Sequence, residues 1–457
     1  MRRAVVLLAL VAAGCMVGPN YKRPAIDLPG AYNDPEAKAG NIAVPPQWWT
    51  VYNDPVLNDL VASGLAHNAD VLQAIARVEE AEGALREAWA TLLFPLVQGN
   101  AGASRSRAVV NGDHVVFNSF SLGASTSFEV DVWGRLRRAE RLTRDRLASS
   151  RYGRDTVALT LAATIARTYF AVRSLDSQVA ASEEIATAAK ESLDLATKRA
   201  NAGVASDLDV YQAGSLYSLA AAQAKETARQ RAVSLHELGV LTGRLDLTLP
   251  WQSVESLPVP PTPPSGLPSQ LLERRPDVRE AEETLAAATE NIGIQRAAQF
   301  PTLSLTGSFG VQSGALSSLF DPASRIWSVG AGLLGPIIDG GRYAARTQQA
   351  EAQARQAEAA YLKVAQNAFR EVADALTSIR LAADQETDLR TRVDQARGAL
   401  RLAALRYERG YSAYLEVLDA QRTLNDAELA YIRNRQAYLS FTVDLMNALG
   451  GGWAPST

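Results

Sequence analysis

Very few side chains in this sequence of 457 residues combine a reactive type with a suitable spacing. Cys15 is the only cysteine, so an intramolecular disulfide is impossible, and the three histidines are too scattered to form a metal cluster with it. No nucleophile–base motif or metal-ligand spacing occurs, so the sequence supports no enzyme and predicts no cofactor. Leu415, Asp419 and Arg422 recur at spacings of four and three and therefore share one face of a predicted helix.

The thiol of Cys15 directly follows a segment that we interpret as a signal peptide at residues 1–14. Its start is basic, residues 4–13 are apolar, and small residues precede the cysteine. The apolar run is much shorter than the ~20 residues that a membrane-spanning helix needs. A signal that ends at a cysteine resembles the bacterial lipoprotein signal, which implies that Cys15 carries a diacylglycerol and an acyl chain.

The residues around Cys15 bear on this interpretation in two ways. Ala12 stands where such signals usually have Leu, which is a weaker fit, and a buried structural thiol stays open as the alternative. Met16 follows the cysteine where an Asp would resemble an inner-membrane retention signal, so sorting to the outer membrane is favoured. Elsewhere, a net charge of −3 without a strongly basic region gives no reason to expect nucleic acid as a partner.

The chain repeats itself at an offset of 207 residues. Motifs in the first half recur in the second, and the matched positions include Asp70 with Asp277, Arg135 with Arg342, and Gly203 with Gly410. We therefore predict a duplicated module. The predicted divisions are the signal peptide at 1–14, a lipidated extended segment at 15–53, a first repeat at 54–243, a proline-rich linker at 244–260, a second repeat at 261–450 and a tail at 451–457.

Each repeat is predicted to contain a helix, two strands and a long helical hairpin. The first helices are expected at about 56–93 and 269–299, each ending at a Phe-Pro pair. Small polar and apolar residues then alternate, which predicts strands at about 95–107, 115–130, 301–313 and 326–338. The alternation fits strands between lipid and a lumen, and it fits a soluble sandwich equally well.

Strand number is more informative than strand pattern. Four strands cannot close a transmembrane barrel, and open sheet edges are forbidden in lipid. If these strands enter a membrane, several chains must pool them, and three chains would give twelve.

Very long helices follow the strands. Residues 135–199 and 342–409 contain no proline and almost no glycine, which predicts helices of ~100 Å, and the second carries an alanine-rich seam. Both are expected to break at a turn, at Gly203 or Gly410, and to reverse into a second helix. The predicted fold is mainly α with a small β part.

The assembled pattern resembles a known family, the outer membrane factors of tripartite efflux systems (TolC-like channels), in their NodT-type lipoprotein branch. The resemblance spans the chain. It is carried by "CMVGPNYKRP" after the signal, "QWWTVYNDPVLNDLV" at 47–61, "RRPDV" at 274–278, "FPTLSLTGSFG" at 300–310, "PIIDGGR" at 336–342 and "YLEVLDAQRTLNDAE" at 414–428.

This resemblance implies a homotrimer whose twelve pooled strands form a barrel in the outer membrane, continued by an α-helical barrel through the periplasm. The implied function is a passive exit duct that receives small toxic compounds from an inner-membrane pump of the RND type through a periplasmic adaptor protein. The substrate is left open, and drugs, solvents, metals and peptides all remain candidates.

Site residues follow from the same resemblance. Leu415, Asp419 and Arg422, with Asp209, are expected to form a periplasmic gate, in which three copies would make an apolar ring and a charged ring. The expected adaptor-contacting tips are Gly203, Val204 and Ser206 in the first repeat and Gly410, Tyr411 and Ser412 in the second. The expected strand–helix junctions contain Pro95, Gly134, Arg135, Pro301, Gly341 and Arg342.

Two other classes and one motif are weighed against this interpretation. A periplasmic adaptor would also have a lipid anchor and a helical hairpin, but only one hairpin and no strand pairs. A structural coiled-coil lipoprotein would explain the seam but not the Phe-Pro strand pairs. The Gly-x-Gly-x-x-Gly pattern at 330–335 lies in a predicted strand followed by Pro336, so we reject it as a dinucleotide site.

Overall fold

The computed structural model describes residues 16–27, 29–32, 44–110, 112–262, 269 and 271–452. The chain is mainly helical, with four strands in these residues. Cys15, the predicted signal peptide and the end of the predicted tail lie outside the described residues. None of the described helices is long and apolar enough to cross a membrane.

The first helix of each repeat is broken, which the sequence prediction missed. The pieces are α1 (Pro55–His67) and α2 (Ala69–Leu93) in the first repeat, and α5 (Leu271–Arg274) and α6 (Pro276–Ala297) in the second. The breaks fall at Asn68 and Arg275, which are 207 residues apart. Arg275 precedes a proline, which disfavours helical backbone at that position. Asn68 is extended, and its side-chain Oδ1 accepts the N–H of Asp70 at 2.9 Å, which caps α2.

The four strands form one antiparallel sheet in the order β1-β2-β3-β4. They are β1 (Leu96–Val110), β2 (Asp113–Val130), β3 (Thr302–Ser313) and β4 (Arg325–Leu334). The predicted strand pairs are present, and β2 pairs with β3 to join the hairpins of the two repeats. Among the described residues, β1 and β4 each have a strand neighbour on one side only.

The two faces of this sheet differ in chemistry. Residues directly opposite one another project to the same face, and the register pairs apolar with apolar side chains, as in Leu122 with Val311 and Phe309 with Trp327. The other face pairs small polar residues: Ser125 lies opposite Ser308, whose Oγ is 2.8 Å from that of Ser328. The apolar face is exposed, with Trp327 74% accessible within this chain.

Strand β4 ends four residues earlier than predicted, at Leu334 instead of residue 338. Pro336 has no N–H for the sheet ladder, so pairing stops before it. The chain then turns through Gly340 and Gly341, whose φ angles of +63° and +84° favour glycine. The rejected Gly-x-Gly-x-x-Gly pattern lies largely inside β4, with no helix following it directly.

Each strand pair is followed by a helix of 67 residues and a shorter return helix. These are α3 (Arg135–Asn201) with α4 (Asp207–Thr242), and α7 (Arg342–Glu408) with α8 (Tyr414–Ala448). Both long helices begin at an aspartate that the sequence analysis overlooked. Asp131 accepts the N–H groups of the first turn of α3 at 3.0 and 2.9 Å, and Asp339 accepts those at the start of α7 at 3.0 and 2.9 Å.

The chain divides into two compact units that do not coincide with the two repeats. One unit contains Ala76–Arg151 and Glu280–Lys363 together with the N-terminal residues up to Ala25, so it includes the sheet. The other contains Ile26–Ile75, Tyr152–Arg279 and Val364–Thr457, so it includes the hairpin turns. Each unit therefore draws segments from both repeats.

A buried ion pair ties the inter-repeat linker to the helices of the second unit. Arg173 is fully buried, and its Nη1 donates to Asp176 at 3.0 Å and to the backbone carbonyl of Pro250 at 2.5 Å. Oδ1 of Asp176 accepts from Arg231 at 2.5 Å. Its Oδ2, which binds Arg173, also accepts the N–H of Gln252 at 3.3 Å. One carboxylate thus balances two guanidinium groups and orients the linker.

We expect Asp176→Asn to lower the stability of the fold strongly. The substitution keeps the side-chain volume but leaves the buried Arg173 charge without its carboxylate, which costs ~3–5 kcal/mol in buried pairs. Thermal unfolding followed by circular dichroism in detergent would show the loss. Glu226→Gln, which removes an exposed pair with Arg229, is the control and should leave the melting temperature unchanged; equal melting temperatures for the two variants would refute the role of Asp176.

Candidate functional site

The candidate site is the pair of turns that reverse the two helical hairpins. In the first turn the N–H of Gly203 donates to the carbonyl of Ala200 at 2.9 Å, and the N–H of Val204 donates to that of Arg199 at 3.0 Å. These two bonds are the Schellman motif, which closes a helix with a left-handed residue. Gly203 has a φ of +74°, and no atom lies within 4 Å of the place a Cβ would take, so backbone conformation alone favours glycine there.

The second turn has the same geometry 207 residues later. The N–H of Gly410 donates to Tyr407 at 3.0 Å, the N–H of Tyr411 donates to Arg406 at 2.8 Å, and the φ of Gly410 is +77°. The two turns therefore end α3 and α7 by the same hydrogen-bond pattern.

The helices that leave the two turns begin differently. Ser206 precedes α4, and its Oγ accepts the N–H of Leu208 at 3.1 Å. Its counterpart before α8 is Ala413, which has no side-chain cap. Ser412 was predicted to be an exposed contact, but it is half-buried, and its buried Oγ has no hydrogen-bond partner among the described residues. Only the first return helix is capped by a side chain.

Apolar side chains are exposed at both turns. Val204 is 67% accessible and Tyr411 is 75% accessible, which agrees with their predicted place at the surface of the tips. Leu208 and Tyr211 extend this apolar surface along the first turn of α4. We refer to Val204, Leu208, Tyr211 and Tyr411 as the tip surface.

Beneath the tip surface, the two hairpins pack on one another. The guanidinium of Arg199 lies 4.6 Å from the ring centre of Tyr407, and the rings of Tyr407 and Tyr414 are 5.2 Å apart. Leu216 and Leu418 belong to the same buried cluster. Burial, with smaller contributions from Tyr407 and Asp209, raises the pKa of Tyr414 above its usual range, so its hydroxyl stays protonated.

The predicted gate residues lie on the face of α8 that is exposed within this chain. Leu415, Asp419 and Arg422 are exposed, whereas Leu418 on the same helix faces the core. Asp419 and Arg422 form no ion pair with each other or with any described residue of the chain. Asp209 lies in the first turn of α4 and is half-buried. The chain itself therefore leaves the two charged groups of α8 without partners in its described part.

The predicted junction residues lie between the strands and the helices. Pro95 and Pro301 directly precede β1 and β3, Gly341 directly precedes α7, and Arg342 begins it. Arg135 begins α3 and holds Glu129 of β2 through two bonds of 3.0 and 2.6 Å. The sequence analysis overlooked Trp133, whose ring stacks on that of Phe300 at 4.7 Å and whose Nε1 donates to the carbonyl of Pro301 at 2.8 Å.

Gly134, also predicted as a junction residue, has a φ of +79°, and a Cβ there would lie 2.5 Å from Cγ of Met16. The remaining predicted site residue, Cys15, lies outside the described residues.

Comparison with known proteins gives consistent similarities. The family model described as "outer membrane efflux protein" matches the chain twice, at residues 60–244 and 267–451. The second match begins and ends 207 residues after the first.

Among characterised relatives, the solvent efflux pump outer membrane protein SrpC of Pseudomonas putida is 33% identical, covering 98% of this chain and 97% of its own length. The cation efflux system protein CusC of Escherichia coli is 31% identical, covering 98% and 97%. Among solved structures, the outer-membrane channel OprN superposes with a TM-score of 0.89 at 29% identity, covering 96% of this chain and 100% of that one.

We expect Ala413→Ser to stabilise the start of α8. Residue 413 already has the extended N-cap backbone, with φ of −73° and ψ of 155°, so a serine hydroxyl could accept a free N–H as Ser206 does. A serine cap contributes ~1 kcal/mol, so amide hydrogen exchange in the first turn of α8 should slow by about fivefold. Ser206→Ala should speed exchange at the start of α4 by a similar factor, and unchanged exchange in both variants would contradict the difference between the turns.

Proposed function

The chain belongs to the outer membrane efflux protein family, and we propose that three copies of it form a passive exit duct across the outer membrane. In this proposal an inner-membrane pump of the RND type and a periplasmic adaptor deliver small toxic compounds to the duct. The chain performs no reaction itself, because the driving force comes from the pump.

The observation that carries this proposal is the sheet. One face is apolar and exposed, the other is lined by small hydroxyl side chains, and both edges are free within the described chain. Strands with lipid on one side and water on the other have this composition. Because an open edge is not tolerated in hydrocarbon, β4 of one copy would pair with β1 of the next, and three copies would close a ring of twelve strands.

The tip surface supports contact with a partner at the hairpin turns. Monomeric soluble proteins rarely leave several large apolar side chains exposed together, and such patches mark interaction sites. We propose that the adaptor binds this tip surface together with the exposed Ser206, with Gly203 and Gly410 shaping the two turns; Ser412, which is half-buried, would support the second turn from within.

The charged face of α8 supports a gate. In a three-fold arrangement, Asp419 of one copy could pair with Arg422 of the next, because neither has a partner within its own described chain. Leu415 would add an apolar ring, and Asp209 would add negative charge at the mouth. Charge-assisted pairs between helices hold such a ring closed, and adaptor contact at the nearby tips would separate them.

The two rival classes fit the architecture less well. A periplasmic adaptor with a single hairpin needs neither two hairpins nor a four-stranded sheet, and a coiled-coil lipoprotein needs no sheet at all. Relatives named for efflux of solvents and of cations match this chain over nearly their whole lengths, so the substrate class stays open. Conductance of purified trimers in planar bilayers, together with heat-modifiable migration on gels, tests the channel itself. A monomer without conductance would refute it.

Replacing both Asp419 and Arg422 by alanine should raise single-channel conductance. The substitution removes the proposed inter-chain pairs, so the periplasmic end would open without an adaptor. The matched control is alanine at Arg370 and Asp374, an exposed pair four residues apart on α7, which should leave conductance as in the native channel. If the Asp419/Arg422 variant also conducts as the native channel does, the gate proposal fails while the channel proposal stands.

Cys15→Ser should abolish fatty-acid labelling and still allow trimers to form. The proposed anchor contributes ~0.8 kcal/mol per buried CH₂, which helps to retain single chains at the membrane but closes no strand edge. Metabolic labelling with a palmitate analogue, followed by unheated gel electrophoresis, measures both effects. Label that persists in the serine variant would show that the acyl chains are attached elsewhere.

A further inference from the structure

The residues that follow Cys15 are held by a buried arginine in the unit that contains the sheet. The side chain of Arg138 is fully buried. Its guanidinium reaches five acceptors: the carbonyls of Val17, Gly18 and Pro19, Oδ1 of Asn20 and the carboxylate of Glu290, at 2.7, 3.0, 2.9, 3.4 and 2.8 Å respectively. Four of the five acceptors belong to the N-terminal segment, which we define as residues 16–23.

A second carboxylate holds the other end of the N-terminal segment. Glu282 of α6 is buried and accepts two bonds from the guanidinium of Arg23, at 2.7 and 2.6 Å, and one from the hydroxyl of Tyr21 at 3.2 Å. Two-bond pairing of this kind fixes direction as well as position. The segment is therefore held at both ends by groups on α3 and α6.

The fit of the N-terminal segment depends on close backbone packing. Gly18 has a φ of +106°, and a Cβ there would lie 2.6 Å from the Cα of Gly293. A Cβ on Gly293 would in turn lie 2.0 Å from Cδ of Arg138. Two glycines and one arginine thus shape a site that accepts the main chain of the segment.

Burial of Arg138 requires the N-terminal segment to be in place. An arginine in a buried site is stable only when its donors are satisfied and its charge is balanced. Glu290 balances the charge, but without the segment the other four bonds would be lost. Docking of the segment and burial of the arginine are therefore coupled.

The docked segment ends at a strand–helix junction. The N–H of Val17 donates to the carbonyl of Trp133 at 3.1 Å, and Met16, the residue after Cys15, packs against Gly134. Trp133 and Gly134 lie between β2 and α3. Met16, the first described residue, therefore lies at the junction where the strands give way to helices.

We propose that Arg138, Glu282 and Glu290 form an intramolecular receptor for the N-terminal segment, which holds the acyl anchor at the strand–helix junction. The anchor and the four strands then enter the bilayer at a fixed relative height. This inference rests on the acylation of Cys15 in the proposed function.

Trypsin tests the receptor directly, because Lys22 is exposed within the N-terminal segment and is followed by Arg23. Cleavage after Lys22 releases residues 15–22 with any acyl label, and docked backbone is cleaved slowly because proteases act on the opened form. Arg138→Met should speed release of this peptide from trimers by at least about tenfold. Arg144→Met is the matched control, because Arg144 pairs with Glu140 on the same helix and should not affect release.

Gly18→Ala separates docking from helix packing. It leaves Arg138 and Glu290 intact but blocks the approach to Gly293, so it should also speed release by about tenfold. If neither Arg138→Met nor Gly18→Ala accelerates cleavage, the receptor proposal is wrong. If the native peptide carries no label, the anchor proposal fails, and the mass of the released peptide still reports docking.

Combination with Cys15→Ser tests the role of the receptor in positioning the anchor. In the native background, Arg138→Met and Gly18→Ala should lower the yield of membrane trimers. In the Cys15→Ser background Gly18→Ala should have no further effect, because there is no anchor to position, whereas Arg138→Met still leaves the buried Glu290 without its partner and lowers the yield in both backgrounds. An equal loss for Gly18→Ala in both backgrounds would mean that the N-terminal segment serves only the packing of the helices, and the proposal would be overturned.

Discussion

Unpaired backbone at the two edges of the sheet is the constraint on which the rest of the structure depends. β1 and β4 each hydrogen-bond on one side only within the described chain, and in hydrocarbon each unpaired N–H or C=O costs several kcal/mol. Water is an equally poor environment for the sheet, because Phe309, Trp327 and Val329 project from its exposed face. Assembly and membrane insertion are therefore one requirement, and three copies with twelve pooled strands would meet it. The long helices inherit that symmetry because each begins within a few residues of a strand.

Duplication gives two hairpins that have the same turn geometry but differ at the start of the return helix. Gly203 and Gly410 close their helices with the same pair of hydrogen bonds. Beyond the turn the repeats diverge: Ser206 caps the first return helix, and Ala413 leaves the second without a side-chain cap. A helix start with fewer satisfied groups opens at a lower free-energy cost. The divergence therefore makes the start of α8 the easier of the two helix starts to open, and α8 also carries Asp419 and Arg422, which have no partner among the described residues.

Sequence patterns predicted the long elements well and the local geometry poorly. Alternation in β2 and β3 and the absence of proline in α3 and α7 are properties of many residues, so they survive any single exception. The break before Pro276 was missed because a helical pattern on both sides hid the rule that a residue preceding proline avoids helical backbone. Arg138 was missed for a different reason: it is one of several arginines near the start of α3, and only burial against carbonyls distant in sequence distinguishes it. The exposed tips followed from the family resemblance and the shared face of α8 from spacing, whereas the buried hydroxyl of Ser412 depends on packing that neither encodes.

In both compact units, arginine side chains donate hydrogen bonds to the backbone carbonyls of extended segments. Such segments contain prolines and have no ladder partner, so their carbonyl groups need donors from elsewhere. Arginines supply them, each also paired with a carboxylate. Arg138 donates to Gly18 and Glu290, Arg173 to Pro250 and Asp176, and Arg435 to Leu257 and Glu386. A guanidinium can do both because its five donors point in fixed, different directions, whereas a lysine presents three from one point. Because these arginines bind main chain, they specify the path of an extended segment and leave its side chains free to vary. The buried arginines of the helices therefore hold the extended segments that cover the helices. Removal of either the segment or the arginine would leave unsatisfied polar groups in the other.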